Sequence, residues 1–461
     1  MAVVERVSAT PEATRAGLKR LYPTLSSPGT IVLIALVLRL GTIIEYRTFQ
    51  VAPSHTQWLF AFESGIVAGW IVSGHGFSSP YLGTPLPSAY VAPIYPLLLA
   101  GIFKVFGMYT NASAFVALAL NSLFSALTCL MIFKIAKRCF GQAVALGAAW
   151  TWALFPVAIY WSTHFIHYTS LSTLLLSLVF WLTLRMEGST RRWDWFALGL
   201  VWAVIFLTNP AVGSFMVVSA GWLAYGLRPH YRKAASLLCV SAVALALGLA
   251  PWVVRNYRVF GKIVLFRSDF GEELLDGNHE GGNGLYVGPV HWNGERMVRI
   301  GELNYMAERR GEAMQFIRRH PKLFPIFTLK RIGFFWCDVP EQGGLIPGYN
   351  HDIPHLSLGM NARHGLYFVF AVATFWGLWV AYRHNEKGTF LFGGLFLTYP
   401  LVLLHHPLQP SISATHSSRD AGAGCVSIME SISRAEHVVD MAVETLIFGR
   451  DVGTYSRSAN P

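Results

Sequence analysis

The chain predicts an all-α fold, a polytopic bundle of transmembrane helices carrying two large extracytoplasmic loops. Three observations lead there. Of the 461 residues, 53% are hydrophobic and only 13% charged, and the mean hydropathy of +0.43 is too apolar for an ordinary water-soluble enzyme. Apolar runs recur along most of the length and are continuous, whereas a β-barrel would show short alternating strands. The cations, which produce a net charge of +11, sit in short clusters at the ends of those runs. That is the membrane-orientation signal, and it sets nucleic acid aside as a partner.

Residues 1–27 are polar and carry Arg6, Arg15, Lys19 and Arg20 without an A-x-A-like cleavage site, so they are expected to form a cytoplasmic N-terminal segment. The first apolar run covers 31–44, and Arg39 inside it is expected to snorkel to the outer interface. Ser54 and Gln57 have capping-box spacing. Leu59, Phe62, Ile66, Val67 and Trp70 then recur at helical spacing up to about Ser73. Glu63 falls on that stripe. Two readings stay open for it: a carboxylate that is paired or used, because burying it otherwise is costly, or an acid tilted into headgroup water. The stretch 62–96, with His75, several Gly and Ser, and a run of prolines, contains what no membrane helix needs and reads as a functional loop.

Further runs cover 93–106, 112–133, 143–161, 169–184, 195–207, 212–227 and 235–254. If all of them crossed, Lys134, Lys137 and Arg138, and also Arg185, Arg191 and Arg192, would fall outside. The run 93–106, about 14 residues long and opening in a proline-rich turn, is therefore expected not to cross. The clusters at 134–138, 185–192 and 228–233 then become cytoplasmic, and Ser78 and Gly282 both face outward. The second outer loop, about 255–320, carries cations on the side where orientation disfavours them. Anion binding explains that, although long outer loops also tolerate charge. From Gly301 an amphipathic, interfacial helix is expected, with Leu303, Met306, Arg310, Met314 and Ile317 on one side. A short run at 324–336 and two more at 366–382 and 390–404 complete the transmembrane domain, 28–407. Residues 408–461 form a polar tail.

Several chemistries are not signalled: there is no phosphate-loop motif, no zinc-helix motif and no nucleophile elbow. The five cysteines lack metal-ligand spacing. His164 and His167 are better explained as packed at a helix end than as ligands. No metal and no cofactor are expected.

The segments FESGIVAGWIVSGHGFSSP, APIYPLLLAGIFKVFG, LNSLFSALTCLMIFKIAKRCFG followed by ALFP, LTNPA, PWVVRNYRVFGKIVLFRSDFGEELLDGN and YMAERRGEAMQFIRRHP occur in that order over about residues 30–407. In order and spacing they resemble the integral-membrane glycosyltransferases of the GT-C class, in particular the family-39-like relatives of dolichyl-phosphate-mannose-protein mannosyltransferases and aminoarabinose transferases. The resemblance implies transfer of a sugar from a polyprenyl-phosphate donor to an extracytoplasmic protein, lipid or glycan acceptor, in a bacterial inner membrane. It places Glu63 as general base or orienting acid. Displacement at an anomeric carbon also needs cations at the leaving phosphate, and Arg255, Arg267 and Lys262 are the candidates, with Asn256 and Asn278 as hydrogen-bond donors and His405 and His406 next in line. The chain departs from the family in three places: Phe62 precedes Glu63 where many relatives have an Asp-Glu pair, Ala92 stands where many have lysine, and a polar tail replaces further apolar spans, as a truncated or frameshifted reading would produce. The competing reading is a non-catalytic flippase or membrane scaffold that uses the same basic loops without Glu63; a transporter would show paired broken helices, of which only Asn209-Pro210 is a sign.

Overall fold

The structure is a computed structural model that describes residues 26–51, 57–81, 83–284, 292–337 and 356–400. Ser54, His405, His406 and the tail lie outside the described residues. Those residues fold into sixteen α-helices with no named strand, an all-α chain as expected. In chain order the helices are α1 (Pro28–Glu45), α2 (Gln57–Val72), α3 (Ile94–Phe106), α4 (Asn111–Phe140), α5 (Gln142–Leu154), α6 (Pro156–His164), α7 (Thr169–Arg185) and α8 (Arg192–Phe206). They continue as α9 (Phe215–Gly226), α10 (Tyr231–Phe260), α11 (Phe270–Asp276), α12 (Gly294–Ile300), α13 (Glu302–Arg319), α14 (Leu323–Cys337), α15 (Leu356–Arg383) and α16 (Thr389–Thr398).

Three helices, α1, α4 and α10, are long and apolar enough to cross a bilayer, and the bent pair α5 and α6 makes a fourth if it is one span. With the apolar composition this makes the chain an integral membrane protein. α3 rises only about 20 Å over its length, short of the roughly 30 Å hydrocarbon core.

Among the described residues the chain divides into two compact units, one of 26–50 and 118–181, the other of 51–117 and 182–400. In the first, Ile31, Ala35, Arg39 and Ile43 recur every fourth residue on α1 and are buried. Ala145, Ala149 and Ala153 do the same on α5, and the two rows pack together with Ala126, Cys129 and Phe133 of α4. Small residues at helical spacing let backbones approach in an apolar medium where no hydrophobic force joins helices.

The run 143–161 forms two helices, α5 and α6, that meet at a bend of 45°, because Pro156 has no N–H for the Trp152 carbonyl. One expectation is corrected in this unit. Arg39 does not snorkel. It is fully buried, and its guanidinium donates to the Ala153 carbonyl at 3.0 Å and the Trp152 carbonyl at 3.3 Å, with Nε on Ser125 Oγ at 3.0 Å. At the broken helix end the Trp152 carbonyl keeps only the Phe155 N–H, at 3.4 Å, and the Ala153 carbonyl depends on the guanidinium, while a cation at a helix C-terminus is also favoured by the helix dipole. Arg39→Met, close in volume, is therefore expected to orphan the Ala153 carbonyl at about 1–3 kcal/mol, and fluorescence-detected thermal unfolding in detergent should register it as a drop in the apparent melting temperature. An unchanged transition would mean that the arginine does not cap the break.

In the second unit α8 and α10 pair closely, with Ser241 Oγ donating to the Trp195 carbonyl at 2.6 Å. α10 runs six residues past the apolar run, to Gly261, which takes φ of +65° as a left-handed terminator. Arg255 and Asn256 are thus helix residues and not loop residues, which anchors them rigidly. α13 packs on α11, and its buried face is Glu302, Tyr305, Met306, Arg309, Ala313 and Phe316; of the stripe Leu303, Met306, Arg310, Met314 and Ile317 expected from the sequence, only Met306 is fully buried, Leu303 and Ile317 are partly so, and Arg310 and Met314 are exposed. Two contacts rotate it. Arg309 and Glu272 form a buried ion pair at 3.0 Å, and Gly271 lies so close that a Cβ there would overlap the Met306 carbonyl. In the first unit, His164 and His167 each contact a neighbouring threonine hydroxyl, Thr163 and Thr169 respectively.

Candidate active site

The site is built from α2, the loop 77–92 and the segment after α10, all in the second unit. α2 is not the uninterrupted helix its periodicity suggests. It breaks at Ala61 (φ −157°, ψ 29°) and Phe62 (φ 50°, ψ −147°). A bulky residue at positive φ is an outlier costing on the order of 1–3 kcal/mol, a strain that persists only where surrounding contacts impose it. Its result is that Glu63 opens the second part of α2, where the exposed N–H groups of a first turn favour a negative side chain.

Glu63 is half-buried, and its Oε1 accepts a hydrogen bond from the Tyr81 hydroxyl at 2.8 Å. The Tyr81 ring is wedged between Tyr90 and Trp292, at centroid distances of 4.8 and 5.0 Å. Burial in the first place, then the neighbouring Tyr90 and Glu63, pushes the Tyr81 phenol well above its ordinary pKa. Tyr90 is raised likewise, by burial first and then by Asp269. Both remain protonated at physiological pH.

The loop that carries these tyrosines is pinned along its backbone. Ser88 N–H donates to the Phe77 carbonyl at 3.0 Å and Ser79 N–H to the Leu86 carbonyl at 2.8 Å, closing the loop on itself, and Trp70 of α2 donates to the Ser79 carbonyl at 3.1 Å. Arg255 holds both arms of the closure, donating from Nη1 to the Ser88 carbonyl at 2.6 Å and from Nη2 to the Phe77 carbonyl at 2.8 Å. Arg267 Nε donates to the Tyr90 carbonyl at 3.1 Å. Between them the Ala89 N–H donates at 2.8 Å to the buried carboxylate of Glu302, which also accepts from Ser268 Oγ at 2.5 Å. Burial raises the Glu302 pKa, and the hydrogen bonds it accepts together with Arg255 oppose that rise.

The residues expected at the leaving group are thus only partly free for one. Arg255 also donates to Asn256 Oδ1 at 2.9 Å. Among the described residues its Nε–H and one Nη2–H make no hydrogen bond, and the guanidinium lies 5.2 to 5.6 Å from the rings of Trp252, Phe77 and Phe260. Arg267 is ion-paired with Asp269 and, at 3.4 Å, with Glu273. Lys262 is exposed and reaches Asn304 Oδ1 at 2.9 Å. Asn256 and Asn278 are fully buried: Asn256 donates to the Val264 carbonyl, and Asn278 donates to the Leu274 carbonyl while accepting from Arg331. The loop therefore brings Arg255 and Arg267 together with Tyr81, the partner of Glu63, whereas Asn278 belongs to a different neighbourhood. No group of three His, Cys, Asp or Glu able to hold a metal occurs among the described residues.

Reasoning from sequence missed Tyr81, Tyr90 and Glu302. The tyrosines lie in the stretch singled out as functional, but nothing in their spacing selects them. Glu302, in the first turn of α13, reads as an ordinary complement to a helix dipole.

A family model described as dolichyl-phosphate-mannose-protein mannosyltransferase matches residues 90–254. The match covers just over a third of the chain, from Tyr90 at the end of the pinned loop to the residue before Arg255. It supports the resemblance to membrane glycosyltransferases of the GT-C, mannosyltransferase-like kind. No curated protein and no solved structure matches the chain.

Proposed function

We propose that the chain transfers a sugar from a polyprenyl-phosphate-linked donor to a protein, lipid or glycan acceptor at the extracytoplasmic face of a bacterial inner membrane. What carries this reading, beside the family match, is one feature of the geometry. A single loop is bonded on one side to the carboxylate of Glu63, through Tyr81, and on the other to the guanidinium groups of Arg255 and Arg267. A base and cations tied to one frame suit an in-line displacement. The acceptor oxygen forms a bond to the anomeric carbon and its proton passes to Glu63. The bond from that carbon to the donor phosphate breaks, and its electron pair leaves on the phosphate.

Arg255 is the principal cation in this scheme, because its two remaining N–H donors project from a headgroup oriented by the loop, and a fork of parallel donors suits a phosphate. Lys262 adds an exposed positive charge. Arg267 shares its charge with Asp269 and Glu273 and acts first on the loop. Asn256 and Asn278, buried as they are, serve by holding Arg255 and the loop after α11. The test is direct: membrane vesicles from producing cells, which contain the native acceptor, are given short-chain polyprenyl-phosphate mannose carrying labelled sugar. Release of polyprenyl phosphate with label passing to acceptor is expected. No release from this donor or from the glucose and aminoarabinose analogues would overturn the reading.

The orientation makes a separate prediction. Thr84 and Glu280 are exposed while Ser78 is buried, so Thr84→Cys and Glu280→Cys are the informative labelling sites. In a background without native cysteines, both should react with an impermeant thiol reagent on intact cells, and Lys137→Cys should react only after lysis. Labelling of Thr84→Cys but not Glu280→Cys would put the two loops on opposite sides and would mean that α3 crosses.

A further inference from the structure

We infer that Tyr81 is a positioning residue for Glu63, holding one carboxylate oxygen so that the other faces the acceptor hydroxyl. The inference rests on the base role proposed for Glu63. The Tyr81 hydroxyl bonds Glu63 Oε1 at 2.8 Å, and among the described residues Oε2 makes no hydrogen bond. A glutamate side chain otherwise has three rotatable bonds, and an unheld carboxylate would sample positions far more widely than proton transfer within about 3 Å tolerates.

The phenol is itself fixed from three directions. Tyr90 meets its ring at 78° and Trp292 at 53°, and the loop just before it is tied to α2 by the bond from Trp70 to the Ser79 carbonyl. The backbone break at Phe62 completes the arrangement, because it sets the direction in which Glu63 leaves α2. Strain on one side of the bond and an aromatic wedge on the other are more than an exposed acid would need. The pKa of the phenol, raised by burial, keeps it a donor throughout the working pH range. Through Tyr90, whose carbonyl accepts from Arg267, the position of the base is coupled to the loop that the proposed phosphate-binding side also uses.

Tyr81→Phe tests this, since it keeps the ring between Tyr90 and Trp292 and removes only the hydroxyl, with its bonds to Glu63 and to the Tyr90 side chain. With short-chain polyprenyl-phosphate mannose in membrane vesicles, turnover at saturating donor should fall about ten- to a hundred-fold, the cost of a misplaced catalytic group, while the donor KM stays within about two-fold and the melting temperature is close to wild type. In a Glu63→Gln background the same change should have no further effect, because a residue that acts through another has nothing left to act on. Wild-type turnover in Tyr81→Phe, with Glu63→Gln inactive, would overturn the inference and leave the base role standing. A raised donor KM at unchanged turnover would also overturn it and move Tyr81 to donor binding. Wild-type turnover in Glu63→Gln would remove the base role, and this inference with it.

Discussion

Glu63→Gln is expected to lower sugar transfer by about a thousand-fold, within the range a general base contributes, while leaving membrane insertion and donor binding close to wild type. The physical ground is that the amide keeps the shape of the side chain and can still accept from Tyr81 at the 2.8 Å position, but it cannot take up a proton. The measurement is transfer from labelled polyprenyl-phosphate mannose at saturating donor, alongside the apparent donor KM, on protein whose melting temperature is unchanged. A loss of turnover without a change in KM is the signature of an interaction made only in the transition state. Turnover at the wild-type rate would return Glu63 to the role of a solvated interfacial acid. The break at Phe62 argues against that role, since a residue that only faces headgroup water needs no strained backbone to aim it.

Arg255 carries the second large effect. Two of its five donors remain for a phosphate oxygen pair, so Arg255→Ala should weaken donor use by about ten- to a thousand-fold, the loss of a partly desolvated charge-assisted pair. Arg255→Lys should rescue little, because a single ammonium does not reproduce a fork. Alanine also releases the Phe77 and Ser88 carbonyls. The two roles separate by measurement: loss of a phosphate contact raises the apparent donor KM, and loss of the latch alone lowers the melting temperature and turnover with the donor KM unchanged. If neither the donor KM nor the turnover changes in the alanine variant, the leaving-group site lies elsewhere.

Much of this was legible from residue order alone, for identifiable reasons. Hydrophobic content is a local property, and each apolar run satisfies its own backbone hydrogen bonds as a helix, so the all-α membrane class, most helix positions and the exceptional character of residues 62–96 follow without any contact being known. Glu63 could be singled out because an acid on an apolar stripe is costly wherever it is placed. Arg255 and Arg267 could be singled out because they lie in a loop expected on the outer side, where orientation disfavours clustered cations.

Tertiary contacts decided the rest. Arg39 looked like a snorkelling cation because its run is short and lies near a bilayer edge; it is buried because Pro156, more than a hundred residues away, breaks a helix whose end carbonyls need donors. The face of α13 is rotated because its packing answers to Glu272 and Gly271, charge pairing and steric fit with another element, and not to its own periodicity. Tyr81 and Glu302 gained roles only when the loop 77–92 closed between α2, α10 and α13. Apolar run length and charge asymmetry are sums over neighbouring residues and survive without a structure. Hydrogen bonds between residues eighteen to more than two hundred positions apart depend on how the chain closes, and it is those bonds that turn a loop with one acid into a candidate active site.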